Sequence, residues 1–256
     1  MTTLLFTLGI AVAGLLVGSF LNVCIYRVPR RESVVWPVSR CTKCGRNLAW
    51  HEKVPVLSWL VLRGDCRVCG VAISPMYPLV ELTTAVLFVA GAMLYGPSGL
   101  LAIRLVFWCV LLVLFAIDLR HRVLPDVITF PGIAVGFAAS CFLPPGWLSS
   151  MIGIVVGGGV LFAIAEAYYR VRGQQGLGMG DVKMLAMIGA FLGWRLMVLT
   201  LVFASFAGTI VGVSLVASGR SNLQMALPFG TFLAVGGIVA AAVGEPILVW
   251  YLGIYR

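Results

Sequence analysis

Acidic side chains are scarce in this sequence: nine aspartates and glutamates among 256 residues, accompanied by only two histidines. Charged residues of both signs make up 11%, against 61% hydrophobic residues and a mean hydropathy of +1.06. That balance excludes an ordinary soluble domain and points to an all-α polytopic membrane protein in a lipid bilayer. Lysine and arginine are absent before Arg27, so the N-terminal stretch lacks the basic region of a secretory signal peptide and reads as a retained first span. The basic residues that follow form no compact run, which argues against nucleic acid as a partner. No Rossmann fingerprint and no internal repeat are present.

What is present is a series of apolar stretches, near residues 3–25, 79–95, 98–117, 127–143, 147–168, 182–193, 196–217 and 225–252. They predict about eight transmembrane helices, each near the roughly 20 residues that a crossing needs, with 182–193 short for that. The chain divides into a first helix (1–26), a polar loop (27–78) and the remaining helices (79–256). Between Arg27 and Pro78 nine basic residues face three acidic ones, so this loop holds six of the nine net positive charges. By the positive-inside rule the loop is cytoplasmic. Counting spans onward puts Arg120, Arg122, Arg170, Arg172 and Arg220 on the same side, Arg104, Arg195 and Arg256 near the outer face, and both termini outside.

Within that loop Cys41-Thr42-Lys43-Cys44 and Cys66-Arg67-Val68-Cys69 form two Cys-x-x-Cys pairs separated by 21 residues. Four thiols at this spacing predict a four-thiolate zinc site that is structural, since no ligand position is left open. A reducing compartment disfavours two disulfides, and a redox centre needs only one such pair. Gly45 and Gly70 each follow a second cysteine, where the chain must turn tightly around a metal. Cys24, Cys109 and Cys141 are dispersed in apolar segments and read as packing residues.

Two of the scarce acids lie at the ends of apolar spans. Asp118 ends the third predicted span, where a negative charge opposes the helix dipole, so it is not a favourable cap. Its bland explanation is pairing with Arg120 or Arg122. Asp181 opens the sixth span after Gly176-Leu177-Gly178-Met179-Gly180. A first-turn acid is favourable there, but three alternating glycines exceed what a cap requires and allow another backbone to approach closely. Span counting brings both carboxylates to the cytoplasmic edge. Two close carboxylates share one proton, so one can activate a water while the other protonates a carbonyl oxygen. The expected chemistry is peptide hydrolysis without a covalent intermediate.

The remaining polar residues carry less. His51 and His121 read as solvated cytoplasmic residues, because four cysteines already complete the metal site. Glu166 reads as a helix-end charge and Glu245 as an outer-edge charge. Gly157-Gly158-Gly159 reads as a close helix contact. Glu81, near the start of the second span, has two readings: a partner for a loop arginine, or an acid that holds a cofactor polar group or a substrate amine.

Taken in order, the motifs resemble those of the bacterial type IV prepilin leader peptidases, which are also N-methyltransferases. The resemblance rests on Gly18-Ser19-Phe20-Leu21-Asn22-Val23 with Arg27-Val28-Pro29, on the paired cysteines, and on Tyr77-Pro78-Leu79-Val80-Glu81-Leu82-Thr83. It rests further on Asp118 with Leu124-Pro125-Asp126, and on Gly178-Met179-Gly180-Asp181 with Lys183. It implies that Asp118 and Asp181 are the catalytic aspartates of a Gly-x-Gly-Asp intramembrane protease, supported by Gly178, Gly180, Lys183 and Asp126. The implied substrates are prepilins or pseudopilins, cut after a glycine and then N-methylated with S-adenosylmethionine. The loop 27–78 is then associated with methyl transfer, the helices 79–256 with peptidase activity, and the setting is the bacterial inner membrane. A basic loop does not attract a basic leader, which leaves Glu81 and Asp126 as candidates for leader recognition, and Glu81 as the candidate at the methyl donor. The alternative from another class is an ion- or proton-coupled transporter. Its acids would lie at the midplane rather than at one face. Oligomeric state is not readable from the sequence.

Overall fold

The computed structural model describes residues 2–36, 38–173, 178–218 and 227–254. Gly176, Leu177, Arg220 and Arg256, invoked above, lie outside the described residues. Among the described residues eight α-helices occur in chain order: α1 (Thr2–Arg27), α2 (Leu57–Val61), α3 (Met76–Tyr95), α4 (Gly99–His121), α5 (Asp126–Ser140), α6 (Trp147–Arg172), α7 (Met179–Ala217) and α8 (Phe229–Ile254). Among the described residues there is no strand, only two isolated bridges in the loop, Arg40 with Asn47 and Asp65 with Ala72.

Six of these helices, α1, α3, α4, α6, α7 and α8, are long and apolar enough to cross a membrane. The chain is a multi-pass membrane protein. The shorter α5 has 15 residues, and α7 is two segments joined at Gly193, whose φ of 73° and ψ of 174° no helix contains. A Cβ on Gly157 would lie 3.0 Å from Leu185 O and 3.4 Å from Met197 Cγ. Twelve residues of straight helix would hold those two about 18 Å apart, so the chain doubles back at Gly193. The predicted spans 182–193 and 196–217 are therefore the two arms of α7, and the eight apolar stretches correspond to eight helical segments.

The chain divides into two compact units, Met1–Leu101 and Ala102–Arg256. Within the first unit α3 packs along α1. In the first unit a Cβ on Gly14 would lie 2.6 Å from Ala85 Cα, and one on Gly18 would lie 2.7 Å from Glu81 Cα. The two helices thus meet at backbone distance, as small residues permit in a membrane. Asn22 Nδ2 donates to Tyr77 O at 3.0 Å, so the first and third sequence motifs touch.

In the second unit α7 packs against α5, α6 and α8. Gly153 and Gly189 face each other so closely that neither has room for a Cβ. Of the glycine run, Gly157 meets Leu185 O, while a Cβ on Gly159 would meet nothing. The core is apolar and sealed: Phe107, Leu111, Leu114 and Ile117 of α4, and Met184, Leu185, Met187 and Ile188 of α7, are fully buried. Phe107 stacks on Phe191 at 4.8 Å between ring centroids. The carbonyls at the end of the first α7 arm, which lose their helical partners at Gly193, are met by side chains. Ser150 Oγ donates to Ala190 O at 2.8 Å and Arg104 Nη1 to Phe191 O at 3.2 Å.

Candidate active site and metal cluster

Asp118 lies in the last turn of α4 and is buried, with 5% of its surface exposed. Its bonded partner is not an arginine. Asp118 Oδ2 accepts the Thr231 N–H at 2.8 Å and the Thr231 hydroxyl at 3.0 Å. Arg122 lies near enough to attract the carboxylate electrostatically, and its backbone N–H donates to Asp118 O at 2.8 Å.

Asp181 is the third residue of α7, whose N-cap is Gly178. Its carboxylate lies beside the Gly178 backbone, 3.3 Å from where a Cβ on that glycine would stand, and within electrostatic reach of Gly230 and of Asp118. The two aspartates, far apart in sequence, thus come together at the first turn of α8, where Asp118 is bonded to Thr231 and Asp181 lies near Gly230. Leu124 is wedged beside them: a Cβ on Gly180 would lie 2.9 Å from Leu124 Cβ, and one on Gly230 would lie 2.8 Å from Leu124 Cδ1. The third glycine of the motif is thus needed for close packing against the α4–α5 turn.

Lys183 and Asp126 join the starts of α7 and α5. Lys183 Nζ donates to both Asp126 oxygens, at 2.7 and 2.8 Å, and lies over the Phe130 ring. Of the two acids considered for leader recognition, Asp126 is exposed. Glu81 is buried in the first unit, where its Oε2 accepts the Val56 N–H at 2.7 Å and its carboxylate lies near the Ser19 hydroxyl. The loop partner of Glu81 is therefore a backbone N–H and not an arginine. Val56 has φ 62° and ψ −52°, and the Leu57 N–H returns to Pro55 O at 2.6 Å, a γ-turn that is strained for a β-branched residue. Glu81 is the side chain that holds this turn.

Cys41, Cys44, Cys66 and Cys69 come together in the loop, with all four sulfurs within 4.8 Å of one another and none in a disulfide. Cys41 and Cys69 Sγ are 3.8 Å apart. Tetrahedral thiolates at the usual 2.3 Å from zinc are separated by about 3.8 Å, so the cluster fits a metal of that kind. Each pair is built on the same turn: Gly45 N donates to Cys41 O at 3.0 Å and Gly70 N to Cys66 O at 2.9 Å, with φ of 71° and 61° at the two glycines. The backbone N–H groups of Cys69 and Val68 pull the Cys66 thiol down to about 6, and those of Cys44 and Lys43 lower Cys41. Both effects favour the thiolate that a metal requires. Arg46 lies beside Cys66 and is held by Glu52, with Nη2 2.8 Å from Oε1 and 3.0 Å from Oε2.

Comparison with known proteins follows the same two-part division. Residues 12–95 match the bacterial peptidase A24 N-terminal domain, and residues 105–213 match the type IV leader peptidase family. The prepilin leader peptidase/N-methyltransferase of Pseudomonas putida is 37% identical over 263 residues, covering 92% of this chain and 90% of that protein. The chain belongs to the type IV leader peptidase family. The relative of the same name in Myxococcus xanthus is 44% identical over 222 residues, 85% of this chain and 66% of that longer protein. The one in Stutzerimonas stutzeri is 34% identical over 277 residues, 99% and 96% of the two chains. No solved structure matches the chain. These similarities lend no support to the transporter alternative.

Sequence reasoning missed Gly230 and Thr231 in this leader peptidase family member. The signal available was modest: Pro228-Phe229-Gly230-Thr231 places a proline, a glycine and one hydroxyl at the mouth of an otherwise apolar run.

Proposed function

We propose that this chain is an aspartic endopeptidase of the bacterial inner membrane that removes the leader of type IV prepilins or pseudopilins. It then N-methylates the new N-terminal residue with S-adenosylmethionine. The observation that supports the cleavage reading is the meeting of Asp118 and Asp181 at the first turn of α8, in a chain of this family. The charge pattern supports a topology with the aspartates and the cysteine loop on the cytoplasmic side and both termini in the periplasm.

Two carboxylates this close share one proton. One takes a proton from a water whose oxygen adds to the scissile carbonyl, while the other protonates the carbonyl oxygen. Collapse of the tetrahedral species breaks the C–N bond and returns a proton to the leaving amine. Gly178, without a side chain, admits an extended substrate backbone beside Asp181, while Gly180 supports the site by letting Leu124 pack against this turn. Asp126 is the acid proposed to meet a basic leader.

In the loop, Cys41, Cys44, Cys66 and Cys69 would hold a structural zinc, whose binding contributes to folding of a segment too small for its own core. S-adenosylmethionine supplies the methyl group when bound. Glu81 is the acid proposed to hold a polar group of that donor or the substrate amine, while its Oε2 keeps the Val56 N–H.

The test is cleavage of a prepilin-like peptide by purified protein and by the Asp118→Asn and Asp181→Asn variants. Both variants are expected to lose activity. Cleavage at the original rate by either one overturns the reading.

A further inference from the structure

We propose that Thr231 is a positioning residue for the cleavage and that the shared proton enters and leaves Asp118 at Oδ1. This rests on the assignment of Asp118 and Asp181 as the reacting pair.

Thr231 is the third residue of α8 and lies 113 positions from Asp118 in sequence. Both residues are buried. The Thr231 N–H, at 2.8 Å from Asp118 Oδ2, is closer to that oxygen than to Pro228 O at 3.2 Å, and the hydroxyl reaches the same Oδ2 at 3.0 Å. A carboxylate oxygen has about two lone-pair directions, and Oδ2 spends both on Thr231. Among the described residues no hydrogen bond goes to Oδ1. The oxygen left to exchange a proton with Asp181 or with water is therefore Oδ1.

The residue before it completes the device. A Cβ on Gly230 would lie 3.0 Å from Asp118 Oδ2 and 3.2 Å from Asp118 Cγ, so a side chain there would push the carboxylate by a few tenths of an ångström. The backbone of Gly230 also lies within electrostatic reach of Asp181. N–H groups in the first turn of a helix have no partner within it, and here the second and third residues of α8 face the two carboxylates, Thr231 through its hydrogen bonds to Asp118 and Gly230 through its nearness to Asp181. One rigid turn thus fixes the spacing of the pair. A threonine suits the position because its backbone N–H and its hydroxyl both reach the same carboxylate oxygen.

A merely structural cap would predict loss of stability alone, so the test separates rate from folding. The full-length protein in detergent micelles is assayed with a prepilin-like peptide for kcat and KM, and its melting temperature is followed. Thr231→Val and Thr231→Ala both remove the hydroxyl and differ in volume, whereas Thr231→Ser keeps both donors. A hydrogen bond to a charged group corresponds to roughly a tenfold or greater change in rate. The expected result is a loss of at least that size in kcat for both Thr231→Val and Thr231→Ala, with KM within about twofold and most of the rate recovered in Thr231→Ser. Full kcat in Thr231→Val beside an inactive Asp118→Asn overturns this proposal and leaves the aspartate assignment standing. An active Asp118→Asn overturns the assignment itself. A kcat loss that follows the melting temperature across all three variants, Thr231→Ser included, reduces Thr231 to a structural cap and also overturns the proposal.

Discussion

Lys183 Nζ lies 2.7 Å from one Asp126 oxygen and 2.8 Å from the other, so a two-pronged ion pair ties the first turn of α7 to that of α5, two residues beyond Asp181. The pair is partly exposed, with 27% of the lysine and 54% of the aspartate side chain accessible. Pairs of this kind contribute about 0.2–1 kcal/mol, so Lys183→Met should lower the melting temperature only slightly. If Asp126 meets a basic leader, Asp126→Asn raises KM for a peptide with such a leader several-fold and leaves kcat within about twofold. The same variant should not affect a peptide whose leader lysines are replaced by glutamine.

Two glycine substitutions of identical chemistry should differ sharply. A Cβ on Gly189 would strike the Gly153 backbone, whereas one on Gly159 would meet nothing within 4 Å. Gly189→Ala forces α6 and α7 apart and should cost about 1–3 kcal/mol or more, read as a fall in melting temperature. Gly159→Ala should be neutral or slightly stabilising, since alanine is the better helix former.

The Cys-x-x-Cys spacing and the two aspartates were legible because their chemistry is unusual for their setting: thiols paired in a basic loop, carboxylates at the ends of apolar spans. The helices were legible from apolar length, and even the short stretch 182–193 marked a real segment, the first arm of α7. Thr231 was not legible. One hydroxyl in an apolar run carries no periodic signal, and its role depends on a contact spanning 113 residues. Glu81 was legible only as an acid in an expensive place. That its partner is the Val56 N–H follows from a strained turn that propensities do not foretell.

The cysteine cluster makes a stoichiometric prediction. Protein purified without chelator should carry about one zinc per chain, and Cys66→Ser should carry much less, by elemental analysis. Because the two cysteine pairs close a loop that has little core of its own, metal removal should expose residues 38–70 to protease before the helices unfold.

Glu52 gives the loop a dependence on pH. Arg46 and the Ala49 N–H hold its carboxyl below the ordinary value of 4.5. A depressed carboxylate contributes stability that is present above the unfolded value and lost as pH falls through the folded one. Glu52→Gln should therefore unfold the loop more readily than the native chain at pH 7. The difference should shrink progressively below about 4.5, measured by Trp50 fluorescence or protease sensitivity.

Gly193 decides whether residues 182–217 form one long helix or two arms. Its φ of 73° with ψ of 174° belongs to a region that essentially only glycine enters. A Cβ there would also collide with Ser149 Oγ and lie 2.9 Å from Pro145 Cβ. Backbone strain of about 1–3 kcal/mol and overpacking of similar size should together make Gly193→Ala strongly destabilising. Ser149→Ala in the same chain removes the hydroxyl but neither the strain nor the proline contact, so it should restore only part of the lost melting temperature. Cleavage should fall with stability in both variants, because Asp181 begins the arm that Gly193 ends. Full recovery in the double variant would mean that the turn tolerates a side chain, and that steric crowding by Ser149 alone keeps glycine there.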